Sequence, residues 1–374
     1  MQPVAVIGLS TLFPDSSDPH TFWENLVAGK DSRVEAGPDQ MDIDPYRFFD
    51  PKKGTLDRYY CLRGGYIHDF KLDPEGFSMD AQTVKRLDEV HQWTFYVARE
   101  ALRDGGHLQK KELLQNCGLI LGNLSFPTRS SNHHLLPLYR KAYEKQLSEL
   151  LKEPNFKLEA FASERDPIFE NLGISGLPAH LTGKALDLEG PTLALDAACA
   201  SSLYSVGLAC HYLHAGKAEL MLAGAVSAAD PFFINMGFSI FQAYPEKGES
   251  CPLNKDSGGL FASEGAGMFL LKRLDDALRD GDQVHAVIRS VGWSNDGRGQ
   301  FVLSPNPKGQ VLAFERAYSE SGIDPTKIDY VECHATGTPL GDKVELNSME
   351  TFFSRHAAKP RIGSVKSNLG HMLT

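Results

Sequence analysis

The sequence predicts an α/β protein, and three observations carry that reading. Short, continuously apolar runs alternate with stretches of helical periodicity from end to end, as βα repeats require. The runs are apolar at successive positions rather than at every second one, as in strands covered on both faces. Chemistry-bearing polar residues stand just past the ends of those runs, in loops rich in Gly, Thr, Ser and Asn. The chain has 374 residues, 42% of them hydrophobic and 23% charged, which is ordinary globular composition.

Val4–Gly8 reads as a buried strand. A helix is expected over Asp18–Gly29, with Asp18 as N-cap and Pro19 in the first turn. Residues 31–80, rich in Asp, Pro, Gly and Tyr and without periodicity, read as long surface loops. Leu87–Arg103 is a helix with Val90, Trp93, Val97 and Leu102 inward and Gly105–Gly106 as its stop. Cys117–Gly122 is a second strand. Within the ambiguous stretch 125–175, Leu135–Lys152 is helical and carries Arg140, Lys141, Lys145 and Lys152. Such a basic run is usually a solvated face; its alternative is a dock for an acidic partner.

Leu193–Leu195 is the next strand, and the residues after it hold the most informative stretch. Asp196, Ala197, Ala198 and Cys199 are followed by a helix. Leu203, Val206, Cys210 and Leu213 recur on one face of it, Ser201 and Ser202 occupy its first turn, and Gly216 ends it. Cys199 thus stands between a buried strand and a helix N-terminus, where a thiol is biased toward the nucleophilic thiolate. Ala197, Ala198 and Ala200 leave room for a substrate. The competing reading is that a free cysteine simply fills space in the core.

Further along, Leu220–Val226, Gly265–Lys272, Val284–Val291, Ile328–Cys333 and Ile362–Val365 read as strands, and Gly309–Ser321 and Leu340–His356 as helices. Residues 228–263 read as loops. Phe232, Phe233, Met236, Phe238 and Phe241 in that stretch are candidates for lining a pocket, with an ordinary core role as the commoner alternative. Both halves of the chain run strand, helix, strand, a coarse duplication without repeated residues.

A net charge of −10 argues against general binding to nucleic acid or an anionic membrane. The six cysteines form neither a CxxC pair nor a regular framework, so a reduced, cytoplasmic setting without structural zinc or disulfides is expected. MQPVAVIGLS has no signal-peptide character.

Three polar stations stand out. Cys199 follows one strand, His334 follows another in CHATGTPLGD, and His371 lies beyond a third in VKSNLGH. Side chains past the carboxyl ends of strands converge on one crevice in open α/β sheets, so a thiol and two imidazoles are expected to meet. A cysteine beside a histidine is a nucleophile arrangement. Neither histidine lies in a metal-binding pattern, and GxxxxGK[ST], GxSxG and GxGxxG after a strand are absent.

DAACASS, ECHATGTPLGD and KSNLGH, in that order and at that spacing, resemble the three active-site motifs of the β-ketoacyl synthases. The resemblance runs from VAVIGLS to the last residue. GLSTLFP and LMLAGAVSAADPFFINMGFSIFQAYPE are similar to ketosynthases of type I polyketide synthases, in particular those of polyunsaturated fatty acid and cyanobacterial glycolipid synthases. The resemblance implies a thiolase-like fold of two pseudo-duplicated βαβ halves in α/β/α/β/α layers. Residues 1–374 would then be one ketosynthase domain, with the nucleophile in a half of about 1–252 and both histidines in a half of about 253–374.

The implied activity is that of a 3-oxoacyl-[acyl-carrier-protein] synthase, an acyltransferase running a decarboxylative Claisen condensation. Cys199 would carry the acyl group. His334 and His371 would hold the extender thioester carbonyl, His334 would assist decarboxylation, and Lys366 would support both electrostatically. Thr336 and Thr338 match positions that bind the pantetheine arm, and Asp296, in GWSNDG, matches a buried acidic position of the active-site network. No metal or tightly bound cofactor is implied. The phosphopantetheine arm of an acyl carrier protein brings malonyl-type and acyl thioesters, within a homodimer and next to acyltransferase and carrier domains. The family domain continues past KSNLGH with a glutamate that partners the lysine, further strands and a glycine-rich loop. The second half is therefore expected to be incomplete and this chain by itself inactive or nearly so. A degradative thiolase is the alternative within the fold, but it would have a second cysteine where His371 stands. A non-catalytic or chain-length-determining partner is the alternative outside catalysis, and such proteins usually lose the nucleophile.

Overall fold

The computed structural model describes residues 2–158, 168–246, 249–298 and 304–374. The strands are β1 (Val4–Leu12), β2 (Arg33–Glu35), β3 (Arg63–Gly65), β4 (Cys117–Asn123), β5 (Thr192–Leu195), β6 (Leu220–Ser227), β7 (Gly265–Arg273), β8 (Ala286–Ile288), β9 (Tyr330–Glu332) and β10 (Arg361–Gly363). Six of them form one sheet in the order β5-β4-β6-β7-β1-β8. β4 runs parallel to β5 and β6, while β7 pairs antiparallel with both β6 and β1. β9 and β10 form a separate parallel pair, and β2 and β3 a small antiparallel one.

Continuous apolarity in the strands is explained by helices on both faces of the large sheet. Along β4, Leu119 and Leu121 point to one side, where they pack with Val97, Ala101 and Leu102 of the Glu89–Asp104 helix. Ile120 between them points to the other side, against Cys210 and Leu213 of the Ser201–His214 helix. Strand residues alternate faces, so every position of a doubly covered strand is apolar. Beside β9 and β10, Phe352 and Phe353 of the Pro339–Ser354 helix pack with Phe314 and Tyr318 of the Pro307–Ser321 helix.

Helix ends follow their sequence signals. Asp18 caps the Pro19–Val27 helix by accepting the Thr21 N–H at 2.9 Å. Asp88 caps the Glu89–Asp104 helix, and Val90, Trp93, Val97 and Leu102 are buried as expected. Gly216 and Gly322 take positive φ directly after their helices, which costs glycine nothing.

Several expectations are corrected. Leu203 is exposed although Cys210 and Leu213 are fully buried, because the sheet covers a narrower arc of the helix than the spacing implied. Residues 31–80 contain β2, β3 and short helical turns, and they bury Tyr59, Leu62 and Tyr66. Residues 231–240 form a helix capped by Asp230. In it, Phe232 packs on Phe48 and Tyr59, and Phe238 on Tyr244. Phe233 and Phe241 are exposed, so the aromatics of this stretch divide between core and surface. The basic helix extends over Arg129–Leu151, and part of the ambiguous stretch before Cys199, 159–167, lies outside the described residues.

Gly122, near the end of β4, sits directly under the first turn of the Ser201–His214 helix. A Cβ there would lie 2.9 Å from the backbone carbon of Ser201. Gly122→Ala is therefore expected to destabilise the fold by about 1–3 kcal/mol, read as a lower urea midpoint. An unchanged midpoint would show that the helix is free to shift.

Candidate active site

Cys199 is presented by a sharp bend between β5 and the following helix. Ala198 takes φ of 50°, a conformation unfavourable for a residue with a Cβ. Local hydrogen bonds hold the bend. Asp196 accepts the N–H of Ala198 at 3.0 Å and that of Ser125 at 3.1 Å. The Ser201 hydroxyl accepts the Ala197 N–H at 2.9 Å and donates to the Ala198 carbonyl at 2.6 Å. The result is an exposed thiol on a rigid base.

His371 arrives from the other end of the chain. Its N–H donates to the Phe261 carbonyl at 2.7 Å, and its carbonyl accepts the Ser263 N–H at 2.8 Å. The residue is 5% exposed, and its Nε2 lies 3.1 Å from the Cys199 Sγ. The Leu373 N–H faces Nδ1 at 3.4 Å. Nδ1 is thereby assigned as the acceptor of the neutral ring, which leaves the proton on Nε2, facing the sulfur.

His334 follows β9, and its ring lies 5.2 Å from that of His371, edge to face at 86°. Sγ of Cys199 and one ring nitrogen of each histidine all lie within 4.8 Å of one another. The expected meeting of one thiol and two imidazoles is therefore what the chain builds. Glu345 fixes the His334 backbone by accepting the N–H groups of His334 and Ala335, each at 2.7 Å.

Lys366 is half-buried, and its Nζ donates to the Cys333 carbonyl at 3.3 Å, which holds it under the strand end that carries His334. Thr336 and Thr338 flank Gly337, and their hydroxyl oxygens lie 3.2 Å apart. Gly337 has φ of 94°, and a Cβ on it would lie 2.6 Å from the Gly259 carbonyl oxygen, so only glycine fits this turn. Asp296 is the exception to the predicted set. It is exposed, and its backbone carbonyl accepts from Asn306. The buried position expected for it is not what the structure has, because GWSNDG runs along the surface here.

Crowding sets the protonation of the cluster. Crowding by protein around the His334 ring, although solvent reaches the residue, lowers its pKa to about 4, with the Lys366 charge second. Burial, then His334 and Lys366, holds His371 well below the usual imidazole value. Both rings are thus neutral near pH 7. Burial lowers Lys366 too, against Glu332 and Glu345, which favour its charge. The thiolate bias expected for Cys199 is not borne out. Crowding by protein raises its pKa, although the sulfur is reachable from solvent, and this outweighs its own backbone amide and Lys366. The helix begins only at Ser201, so the thiol stands before its first turn.

Sequence reasoning missed Asp196, Glu332, Glu345 and Asp342. Asp342 accepts the Gly337 N–H at 3.1 Å and the Leu253 N–H at 2.8 Å. The spacing of Asp342 and Glu345, three residues apart on a helix that starts at Pro339, was the available signal that both face one way.

An exposed thiol beside two neutral imidazoles on a mixed α/β sheet is the setting that a thiol nucleophile on a thiolase-like fold requires. Residues 1–277 match the family "Beta-ketoacyl synthase, N-terminal domain" and residues 285–374 match "Beta-ketoacyl synthase, C-terminal domain". The chain belongs to the β-ketoacyl synthase family.

Its relatives are polyunsaturated fatty acid and polyketide synthases. A polyunsaturated fatty acid synthase chain of Thraustochytrium sp. is 34% identical over 99% of this chain and 17% of its own length. A phenolphthiocerol/phthiocerol polyketide synthase chain of Mycobacterium tuberculosis is 30% identical over 99% of this chain and 19% of its own. The chain thus spans less than a fifth of these relatives. Among solved structures, "PfaC Keto synthase-Chain length factor" is 53% identical with a TM-score of 0.96, covering 100% of this chain and 40% of that one. An oxazolomycin ketosynthase domain of Streptomyces albus is 26% identical with a TM-score of 0.81, covering 99% of this chain and 60% of that one. Among the described residues no helix is long and apolar enough to cross a membrane.

The depressed imidazole pKa values fix a sign for stability against pH. The unfolded rings take protons below pH of about 6.5, while the folded ones resist until far lower. The unfolded state then binds more protons, so stability falls as pH falls from about 6.5 toward about 4 and is untouched by these groups above that window. Buried His91 and His107 act in the same direction. Urea unfolding at pH 7 and pH 5 is expected to show a smaller pH-dependent loss in His371→Gln than in the unsubstituted chain. Equal losses would mean that the ring is not held neutral.

Proposed function

We propose that this chain is the condensing unit of a 3-oxoacyl-[acyl-carrier-protein] synthase, running a decarboxylative Claisen condensation. The observation that carries the reading is the 3.1 Å approach of His371 Nε2 to the Cys199 Sγ, with His334 completing the cluster. Cys199 attacks an acyl thioester delivered on the phosphopantetheine arm of a carrier protein, and the carrier thiol leaves with the proton. With the thiol pKa raised, the proton must move as the S–C bond forms; His371 Nε2 already bears a proton and donates toward the sulfur, so the thiol proton passes to the departing carrier sulfur.

The second thioester, of malonyl type, loses CO₂ and leaves an enolate. Neutral imidazole N–H groups suit its developing oxyanion, each preorganised donor of this kind being worth about 3–4 kcal/mol of barrier. A proton on Nε2 of His371 is what the Leu373 amide favours. The enolate carbon attacks the acyl carbonyl, and the Cys199 sulfur leaves as thiolate and takes a proton from solvent, which reaches it. Desolvation keeps both rings from taking up protons, and the Lys366 charge adds to it. Thr336 and Thr338 are the proposed hydrogen-bonding pair for the pantetheine arm. Homodimerisation, neighbouring acyltransferase and carrier domains and a cytoplasmic location belong to the same reading, as does one domain over 1–374 with halves near 1–252 and 253–374. The name of the PfaC neighbour brings in a chain-length-determining role. Retention of the thiol and both imidazoles favours condensation over that role.

Incubated with an acyl thioester, the protein is expected to gain one acyl group on Cys199 by peptide mass spectrometry, and Cys199→Ala none. In a synthase that carries this chain together with its neighbouring domains, His371→Ala is expected to lower malonyl-thioester CO₂ release by about 10²–10³-fold. Acylation elsewhere, or CO₂ release that is indifferent to His371, would sink the reading.

A further inference from the structure

We propose that the Cys199–His334–His371 cluster is also an inhibitory binding site for a soft divalent cation, with Zn²⁺ as the fitting ion. That the ion inhibits rests on the proposed role of Cys199 in condensation, whereas that it binds uses only the donor set and its geometry.

The three donors are one sulfur and two ring nitrogens, the ligand types that zinc prefers. In a tetrahedral site, bonds of about 2.3 Å to sulfur and about 2.0–2.1 Å to nitrogen place the ligand atoms about 3.3–3.6 Å apart. Here the Sγ to Nε2 separation at His371 is 3.1 Å, and no donor pair exceeds 4.8 Å. The adjustment falls on the side chains able to make it. Cys199 and His334 are exposed, whereas His371 is buried and anchored by its backbone. Three protein ligands leave a fourth position open to water, as in zinc sites that are not closed structural ones.

Two features oppose the ion and set the class of site. The Leu373 amide favours a lone pair on Nδ1 of His371, so coordination through Nε2 requires the ring proton to move to Nδ1 and gives up a 3.4 Å contact. Lys366 adds a nearby positive charge, tempered by Glu332 and Glu345. The surroundings therefore suit substrate carbonyls better than a resident metal, and the ion binds as a reversible inhibitor. Binding converts the Cys199 thiol into a zinc thiolate with release of one proton to solvent. The sulfur is then blocked toward thioesters and alkylating agents, and an acylated Cys199 no longer offers a thiolate to the ion.

The test uses the full chain, stripped with EDTA and titrated with Zn²⁺ against a chromophoric indicator. Iodoacetamide labelling of Cys199 is followed in parallel by peptide mass spectrometry. The expected result is one Zn²⁺ per chain, protection of Cys199 that EDTA reverses, no protection by Mg²⁺, and undiminished labelling of Cys251. Cys199→Ser and His334→Gln should each weaken binding at least about tenfold, since even loss of a group supporting a ligand costs that much. Circular dichroism in EDTA checks that both variants are folded, and the labelling arm on the unsubstituted chain needs no variant. Unprotected Cys199 at saturating Zn²⁺, or a tightly bound ion indifferent to both substitutions, overturns the proposal. Acyl transfer to Cys199 measured in EDTA reports separately on the condensing function.

Discussion

The site depends on a short crosspiece of backbone, Phe261–Glu264, that clamps distant parts of the chain together. His371 is hydrogen-bonded to it on both sides, through its N–H to Phe261 and its carbonyl to Ser263. Gly65, at the end of β3, donates to Ala262 at 3.0 Å and accepts from Glu264 at 2.9 Å. The crosspiece runs directly into β7, which lies beside β6 in the large sheet. A histidine from the end of the chain is thereby held in register with a cysteine carried by the edge strand of that sheet. Hydrogen bonds between backbone groups are suited to this, because their geometry does not depend on flexible side chains.

A second clamp works from the β9–β10 side. Glu345 takes two amides at the His334 turn, Glu332 takes the Val365 N–H at 2.8 Å, and the Ser364 hydroxyl donates to the Ala335 carbonyl at 2.8 Å. These contacts tie the two loops that bear His334 and Lys366 to each other. The same carboxylates favour the Lys366 charge, so the groups that position the site also tune it. Crowding removes the water that would stabilise the charged imidazoles and so keeps them neutral, and repulsion from the nearby lysine adds to this. Neutral rings can donate a hydrogen bond to a developing oxyanion without already carrying the charge that would tie them to bulk anions.

The β-ketoacyl synthase family supplies the frame in which this geometry makes chemical sense, and the relatives place it among synthases many times longer than this chain. The thiol is less acidic in the fold than its nearness to a helix had implied. Cys199 lies before the helix, which begins at Ser201, and desolvation of the thiol outweighs the backbone amide and Lys366 that favour its thiolate.

Much of this was legible in the residues themselves. Apolar runs marked the strands of the large sheet, Asp18 and Pro19 marked a helix start, and motifs at strand ends pointed to Cys199, His334 and His371, with Lys366 added by the family resemblance. These signals are local, because periodicity and capping act within a few residues. What only the tertiary structure decided is long-range. The helix over Pro231–Ile240 lay hidden among aromatics and glycines that read as a loop. The exposure of Leu203 and Asp296 depends on what packs over them, and the supporting Asp196, Glu332 and Glu345 are ordinary carboxylates until folding brings amides to them. Whether a thiol is acidic and an imidazole neutral depends on the water excluded and the charges gathered around it, which a linear sequence does not record.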